Sequence, residues 1–102
     1  MPIFRTKKEP FEWLRINEKT IDVRKGNPQN GNVAVYLSGR NVLKLKIIKK
    51  ETGKLTEIVR SDNYRFIIPS AIVLEDAVSY LRGLYAGYNN DDVFTAYYVS
   101  PL

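Results

Sequence analysis

The densest group of reactive side chains lies near the start of the chain, in the pattern Asn17-x-Lys19-x-x-Asp22-x-Arg24. In an extended strand alternate side chains share a face. Thr20, Asp22 and Arg24 would then point one way and set a carboxylate beside a guanidinium, whose planar fork of donors suits a phosphate or carbonyl oxygen. Lys19 falls off that face, but Asn17 tolerates left-handed backbone better than most residues. A bend there would carry the ammonium to the same cleft and produce a positive pocket holding one acid. For Asp22 and Arg24 alone the simpler reading is a same-face ion pair, worth at most about 1 kcal/mol if exposed. The functional reading depends on Lys19 joining them.

A second group is purely cationic. Arg40, Lys44, Lys46, Lys49, Lys50 and Lys54 follow one another along one stretch, with Lys44 and Lys46 alternating against Leu43, Leu45 and Ile47, and Arg5, Lys7 and Lys8 make the N-terminus basic. Such a row can follow a nucleic-acid backbone, and the net charge of +5 and pI of about 9.5 favour polyanionic partners. A basic, merely solvated surface accounts equally well for the charge alone. Aromatics are 12% of the chain. Most must be core, and Tyr64, Tyr80 and Tyr88 occupy polar or turn positions from which a ring could stack on a base.

Cysteine and histidine are both absent. That excludes disulfides, thiol nucleophiles, Cys/His zinc sites and imidazole-based catalysis, and neither a metal nor a cofactor is expected. No apolar run approaches the roughly 20 residues that span a bilayer, and Met1 to Lys8 lacks a leader's apolar stretch, so a cytoplasmic location is expected.

These side chains need a scaffold, and 102 residues with 44% hydrophobic and 26% charged composition suit one globular domain over 1–102. Phe11, Trp13 and Leu14 predict a short helix from Glu9 to Asn17, with Pro10 in its first turn. Alternation predicts strands over Lys19–Lys25, Val33–Leu37, Val42–Lys50 and Val93–Val99. Turns are expected at Gly26–Gly31, Ser38–Asn41, Glu51–Lys54 and Gly87–Asp92. Leu74, Ala77, Val78, Leu81 and Tyr85 repeat at helical intervals, predicting an amphipathic helix. Leu55–Val59 fits either a strand or a short helix. The order predicts an α+β fold, a small mixed β-barrel with short helices at its ends.

The Asn17-x-Lys19-x-x-Asp22-x-Arg24 pattern, set between a helix and a strand, resembles the signature of the ASCH domain family, small PUA-like β-barrels whose pattern is Gly-x-Lys-x-x-Glu-x-Arg. Lys19 and Arg24 match, Asp22 replaces the glutamate, and Asn17 replaces the glycine. The glycine before the second strand, the lysine-bearing hairpin, Ile67-Ile68-Pro69-Ser70, the helix ending at Leu84-Tyr85 and the last strand ending at Pro101 follow the same order, so the likeness to the small single-domain type covers most of the chain.

The resemblance implies binding of RNA, other single-stranded nucleic acid or a modified nucleoside; the expected contacts are Lys19, Asp22 and Arg24 of the motif, Thr20 on the same strand face, and Arg40, Lys44 and Lys46 of the cationic row. It also raises hydrolysis, because some ASCH relatives are amidohydrolases for acylated cytidine that use the motif lysine, a threonine and a glutamate. Here Lys19 matches the lysine, while Asp22 stands at the threonine's position and Ser70 at the glutamate's, with Glu75 the nearest alternative acid. Other relatives resemble ribonucleases using lysine, tyrosine and serine, for which Lys19, Ser70 and a tyrosine are available. A lysine beside Asp22 with no second acid is expected to stay protonated near neutral pH, and a protonated amine is neither nucleophile nor base. A protein-interaction role for the lysine-rich hairpin is the third expectation.

Overall fold

Period-two patterning dictates the sheet, and the turn residues between the runs dictate its order. The structure is a computed structural model that describes residues 1–102. It runs β1 (Ile3–Arg5), α1 (Lys8–Arg15), β2 (Ile21–Lys25), β3 (Val33–Ser38), β4 (Asn41–Lys54), α2 (Leu55–Ile58), α3 (Tyr64–Ile67), α4 (Leu74–Gly83) and β5 (Val93–Pro101). One mixed five-stranded sheet has the order β1-β3-β4-β5-β2, with β1 parallel to β3 and every other pair antiparallel.

The sheet curls. Phe4 on β1 and Tyr97 on β5 are separated by two strands in the sheet, yet their rings stand 5.1 Å apart, which requires the face they share to be concave. That inner face holds Phe4, Tyr36, Leu45 and Tyr97, and α1 covers it with Phe11 and Leu14. The outer face around β2 and β5 holds Ile21, Val23, Phe94 and Ala96 under the helices, with Leu55, Ile58, Ile67, Ala77 and Leu81 packed on them. Phe94, Tyr36 and Tyr97 are among the fully buried side chains, and burying a large apolar side chain stabilises by about 1.5–3 kcal/mol. The result is a curled half-barrel with a seam between edge strands β1 and β2, consistent with the small barrel-like α+β fold the sequence predicts. No helix is long and apolar enough to cross a membrane.

Two expectations about β4 need correction. Glu51–Lys54 is not a turn, because these residues pair with Ala96, Thr95, Phe94 and Val93 and carry the strand to fourteen residues. Gly53 works here through its missing side chain, since a Cβ would meet Glu57 Oε1 at 3.2 Å and Ile58 Cγ2 at 3.6 Å, where α2 crosses the strand. The row of lysines is also broken. A bulge between Ile47 and Lys49 turns exposed Ile48 outward and reverses the alternation. Lys44 and Lys46 project from the outer face; beyond the bulge Lys49, opposite Tyr98 and 4.8 Å from its ring centroid, takes that face, and Lys50, opposite Tyr97, takes the inner one and donates to the Gln29 carbonyl.

The ambiguous segment Leu55–Val59 is helical at Leu55–Ile58. The long helix stops at Gly83, with Leu84 as its C-cap, which leaves Tyr85 beyond its end. Ile3–Arg5 and Tyr64–Ile67, where no element is predicted, form β1 and α3.

Candidate functional site

The site begins with one residue of unusual backbone. Asn17 has φ of 65°, and the chain reverses there so that the N–H groups of Glu18 and Lys19 both donate to the Trp13 carbonyl, at 2.9 and 3.0 Å. This reversal turns Lys19 inward. Its ammonium donates to the carbonyls of Ile21, at 3.0 Å, and of Ile67, and stands 3.9 Å from Asp22 Oδ1. The side chain is only 4% exposed.

Asp22 and Arg24 project from the inner face of β2, while Ile21 and Val23 enter the outer core. Arg24 Nε donates to Asp22 Oδ2 at 2.8 Å, Nη1 to the Arg5 carbonyl at 2.9 Å, and Nη2 to Thr6 Oγ1 at 3.1 Å. Its guanidinium carbon lies 4.7 Å from the Phe4 ring centroid. Arg24 thus staples β2 to β1 across the seam. Three of the five guanidinium N–H groups are engaged, which leaves two for a ligand.

Replacing Arg24 with lysine should not restore the staple, because a single ammonium cannot span all three acceptors. Arg24→Lys is expected to cost about 1–3 kcal/mol in chemical denaturation and to accelerate amide exchange in Ile3–Arg5. Unchanged exchange there would show that β1 is held by β3 alone.

Around this group is a cleft of about 230 Å³. One wall is cationic and comes from Arg5, Thr6 and Lys7 at the end of β1, with Lys19, Asp22 and Arg24 behind it. The other is apolar and aromatic, from Tyr80, Leu81, Leu84 and Tyr85 at the end of α4. The Tyr85 hydroxyl accepts from the Lys25 N–H at 3.3 Å, and its ring meets Phe94 edge-on at 5.4 Å, so α4 is tied to β2 at the rim.

Burial governs the electrostatics. Desolvation pulls Lys19 from 10.5 down to about 8; the attraction of Asp22 opposes this, and the repulsion of Arg24 adds to it. Asp22 was expected to secure the proton, but burial outweighs it. At neutral pH the ammonium still exceeds the free amine about tenfold. Burial likewise pushes the Tyr36 hydroxyl up, helped by the neighbouring Asp22 charge. That hydroxyl is buried with no satisfied hydrogen bond. Arg24 is held above its ordinary value, because burial, which lowers it, is outweighed by the charge and hydrogen bond of Asp22.

The other expected contacts lie elsewhere. Thr20 precedes β2, where its N–H donates to Phe66 O and its carbonyl accepts from Val99, and it does not line the cleft. Arg40 is exposed in the two-residue turn between β3 and β4, beside Gly39 with φ of 59°. With Lys44 and Lys46 on the outer face, the expected contacts occupy two faces of the sheet and not one. Exposed Ser70 and Glu75 do not line the cleft. Of the three tyrosines with stacking potential, Tyr80 lines the cleft, Tyr64 donates to Ile72 O at 3.1 Å, and Tyr88 packs near Phe94 with Arg82 5.2 Å from its centroid.

Thr6 and Tyr85 join the cleft without a signal of their own, Arg5 and Lys7, read only as a basic N-terminus, form its wall, and Tyr36 lies buried beside Asp22 and Arg24. The signal for Arg5–Lys7 was a three-residue alternation, Ile3-Phe4-Arg5, too short to separate from a basic tail.

No protein-family model and no curated protein matches the chain. Its backbone is similar to the crystal structure of hypothetical protein PH0355, with a TM-score of 0.78 and 17% identity over 98% of this chain and 97% of that one. At that identity the likeness carries the fold alone.

Proposed function

We propose that the cleft binds RNA or a nucleotide-derived ligand, and that the chain is an ASCH domain of the PUA-like type, acting in the cytoplasm. The carrying observation is the pairing of Arg5, Lys7, Lys19 and Arg24, set around one buried carboxylate, with the facing wall of Tyr80, Leu81, Leu84 and Tyr85. Cations with free donors suit a phosphate, and an apolar wall with two phenol rings suits a planar base. The half-barrel and the position of Lys19, Asp22 and Arg24 in it are compatible with the family resemblance.

Hydrolysis gains no comparable support. Attack on an amide needs a proton acceptor within reach, yet Asp22 is engaged with Arg24, neither Ser70 nor Glu75 lines the cleft, and Lys19, still mostly ammonium at neutral pH, points two of its N–H groups at backbone carbonyls. Lys44 and Lys46, on the outer face, would contribute only long-range attraction.

The test is titration of labelled single-stranded RNA at several salt concentrations, with an acidic protein of matched charge as control. The affinity should fall linearly with salt on logarithmic axes. Arg24→Gln should weaken binding at least about tenfold, and Lys44→Glu with Lys46→Glu by only about two- to threefold, alike across sequences. Undiminished binding by Arg24→Gln would remove the cleft from this reading.

A further inference from the structure

The cationic wall of the cleft is not its outer limit. Arg5, Thr6 and Lys7 also line a second, shallower groove of about 530 Å³, whose other lining residues are Leu37 and Gly39. The three residues therefore form a ridge with a concavity on either side. Arg5 and Lys7 are exposed, and neither has an ion-pair partner. The groove has no acidic lining residue, and the exposed, unpaired Arg40 follows Gly39 at its far end.

The ridge is also firmly placed. The Thr6 N–H donates to Leu37 O at 2.8 Å, and Arg24 holds the Arg5 carbonyl and the Thr6 hydroxyl from the cleft side. A site for a free nucleoside would need the cleft alone. A ridge of unpaired cations between two concavities, with another cation beyond, matches the repeated charge of a phosphodiester backbone.

We propose that the cleft and the groove form one track, and that the ligand is a single-stranded oligonucleotide with one nucleotide in the cleft and the following phosphates over Arg5 and Lys7 toward Arg40. This rests on the nucleotide-binding reading above. It adds the polymeric nature of the ligand and its direction across β1. A base can enter the cleft only when free of its duplex stack, so the strand must be single.

The experiment is a length series on the unmodified protein at one salt concentration. The probes are a nucleoside 5′-monophosphate and RNA oligomers of the same base with two, four and six nucleotides. The dissociation constant should fall at least about tenfold from the monophosphate to the tetramer and then level off. Leu37→Glu sets a carboxylate opposite Arg5, its cross-strand partner, and should abolish the gain with length. Arg40→Glu, in an exposed turn where folding is not at stake, should reduce that gain severalfold. Equal affinity for monophosphate and tetramer would overturn the track while leaving the cleft as a mononucleotide site. Absence of binding by every probe, the hexamer included, would overturn both.

Discussion

Asp22→Ala is expected to destabilise the protein by about 3–5 kcal/mol, the usual consequence of removing one member of a buried charge pair. The Asp22 side chain is 6% exposed and lies between Arg24, at 2.8 Å, and Lys19, at 3.9 Å. Without it two cations face each other inside the sheet, the Arg24 Nε loses its acceptor, and the β1–β2 staple loses its anchor. The loss is a large share of the roughly 5–15 kcal/mol that holds a typical domain together. Asp22→Asn keeps the shape and an acceptor oxygen but removes the charge, and should cost less than alanine. Urea denaturation of the three proteins at neutral pH measures this. A loss below about 1 kcal/mol for Asp22→Ala would mean that water screens the group as it does a surface pair.

The carboxylate's part is thus to hold two cations in place, and Lys19 and Arg24 differ in how far it frees them for a ligand. Lys19 gives two of its three N–H groups to backbone carbonyls, and so ties the start of β2 to the end of α3. Arg24 keeps two donors of five. The exposed cations Arg5 and Lys7 keep all of theirs. Ligand capture therefore moves outward along the cleft, from a buried charge cluster that sets geometry to a rim that makes contacts.

Much of this was legible where local rules and tertiary structure agree. Asn17 ended α1 in the left-handed region, as its type allows, and Ile21 and Val23 alternated with Asp22 and Arg24 across β2. Local rules failed where a distant strand decided the outcome. Glu51–Lys54 reads as a turn, but β5 supplies partners for each residue, and Gly53 is there because α2 crosses closely. The bulge at Ile48 is marked in the sequence by the doubled Ile47-Ile48 and Lys49-Lys50, where strict alternation fails; pairing with β5 then keeps Lys49 on the face of Lys44 and Lys46 and turns Lys50 to the other. β1 was hidden for the same reason, since three residues become a strand only because β3 offers a parallel edge.

The buried ammonium gives the sharpest signature of the cluster, because its effects on stability and on binding have opposite pH dependence. Lys19 is lowered from 10.5 to about 8, chiefly by burial. Between those two values the unfolded chain holds a proton that the folded chain has released, so stability rises with pH across the window. Below about pH 8 both states are protonated, and the full desolvation penalty remains. Relative to Lys19→Met, which cannot titrate, the natural protein should therefore gain up to about 3 kcal/mol between about pH 7 and about pH 10.5. The two proteins differ only at position 19, so the difference between their curves reports the lysine. Affinity for a phosphate-bearing ligand should move the other way and weaken as pH rises through about 8, because the cleft loses one positive charge. Paired urea titrations of the two proteins across this range, with RNA binding at the same pH values, test both halves. Parallel stability curves would mean that Lys19 keeps an ordinary lysine pKa, and that water reaches the floor of the cleft.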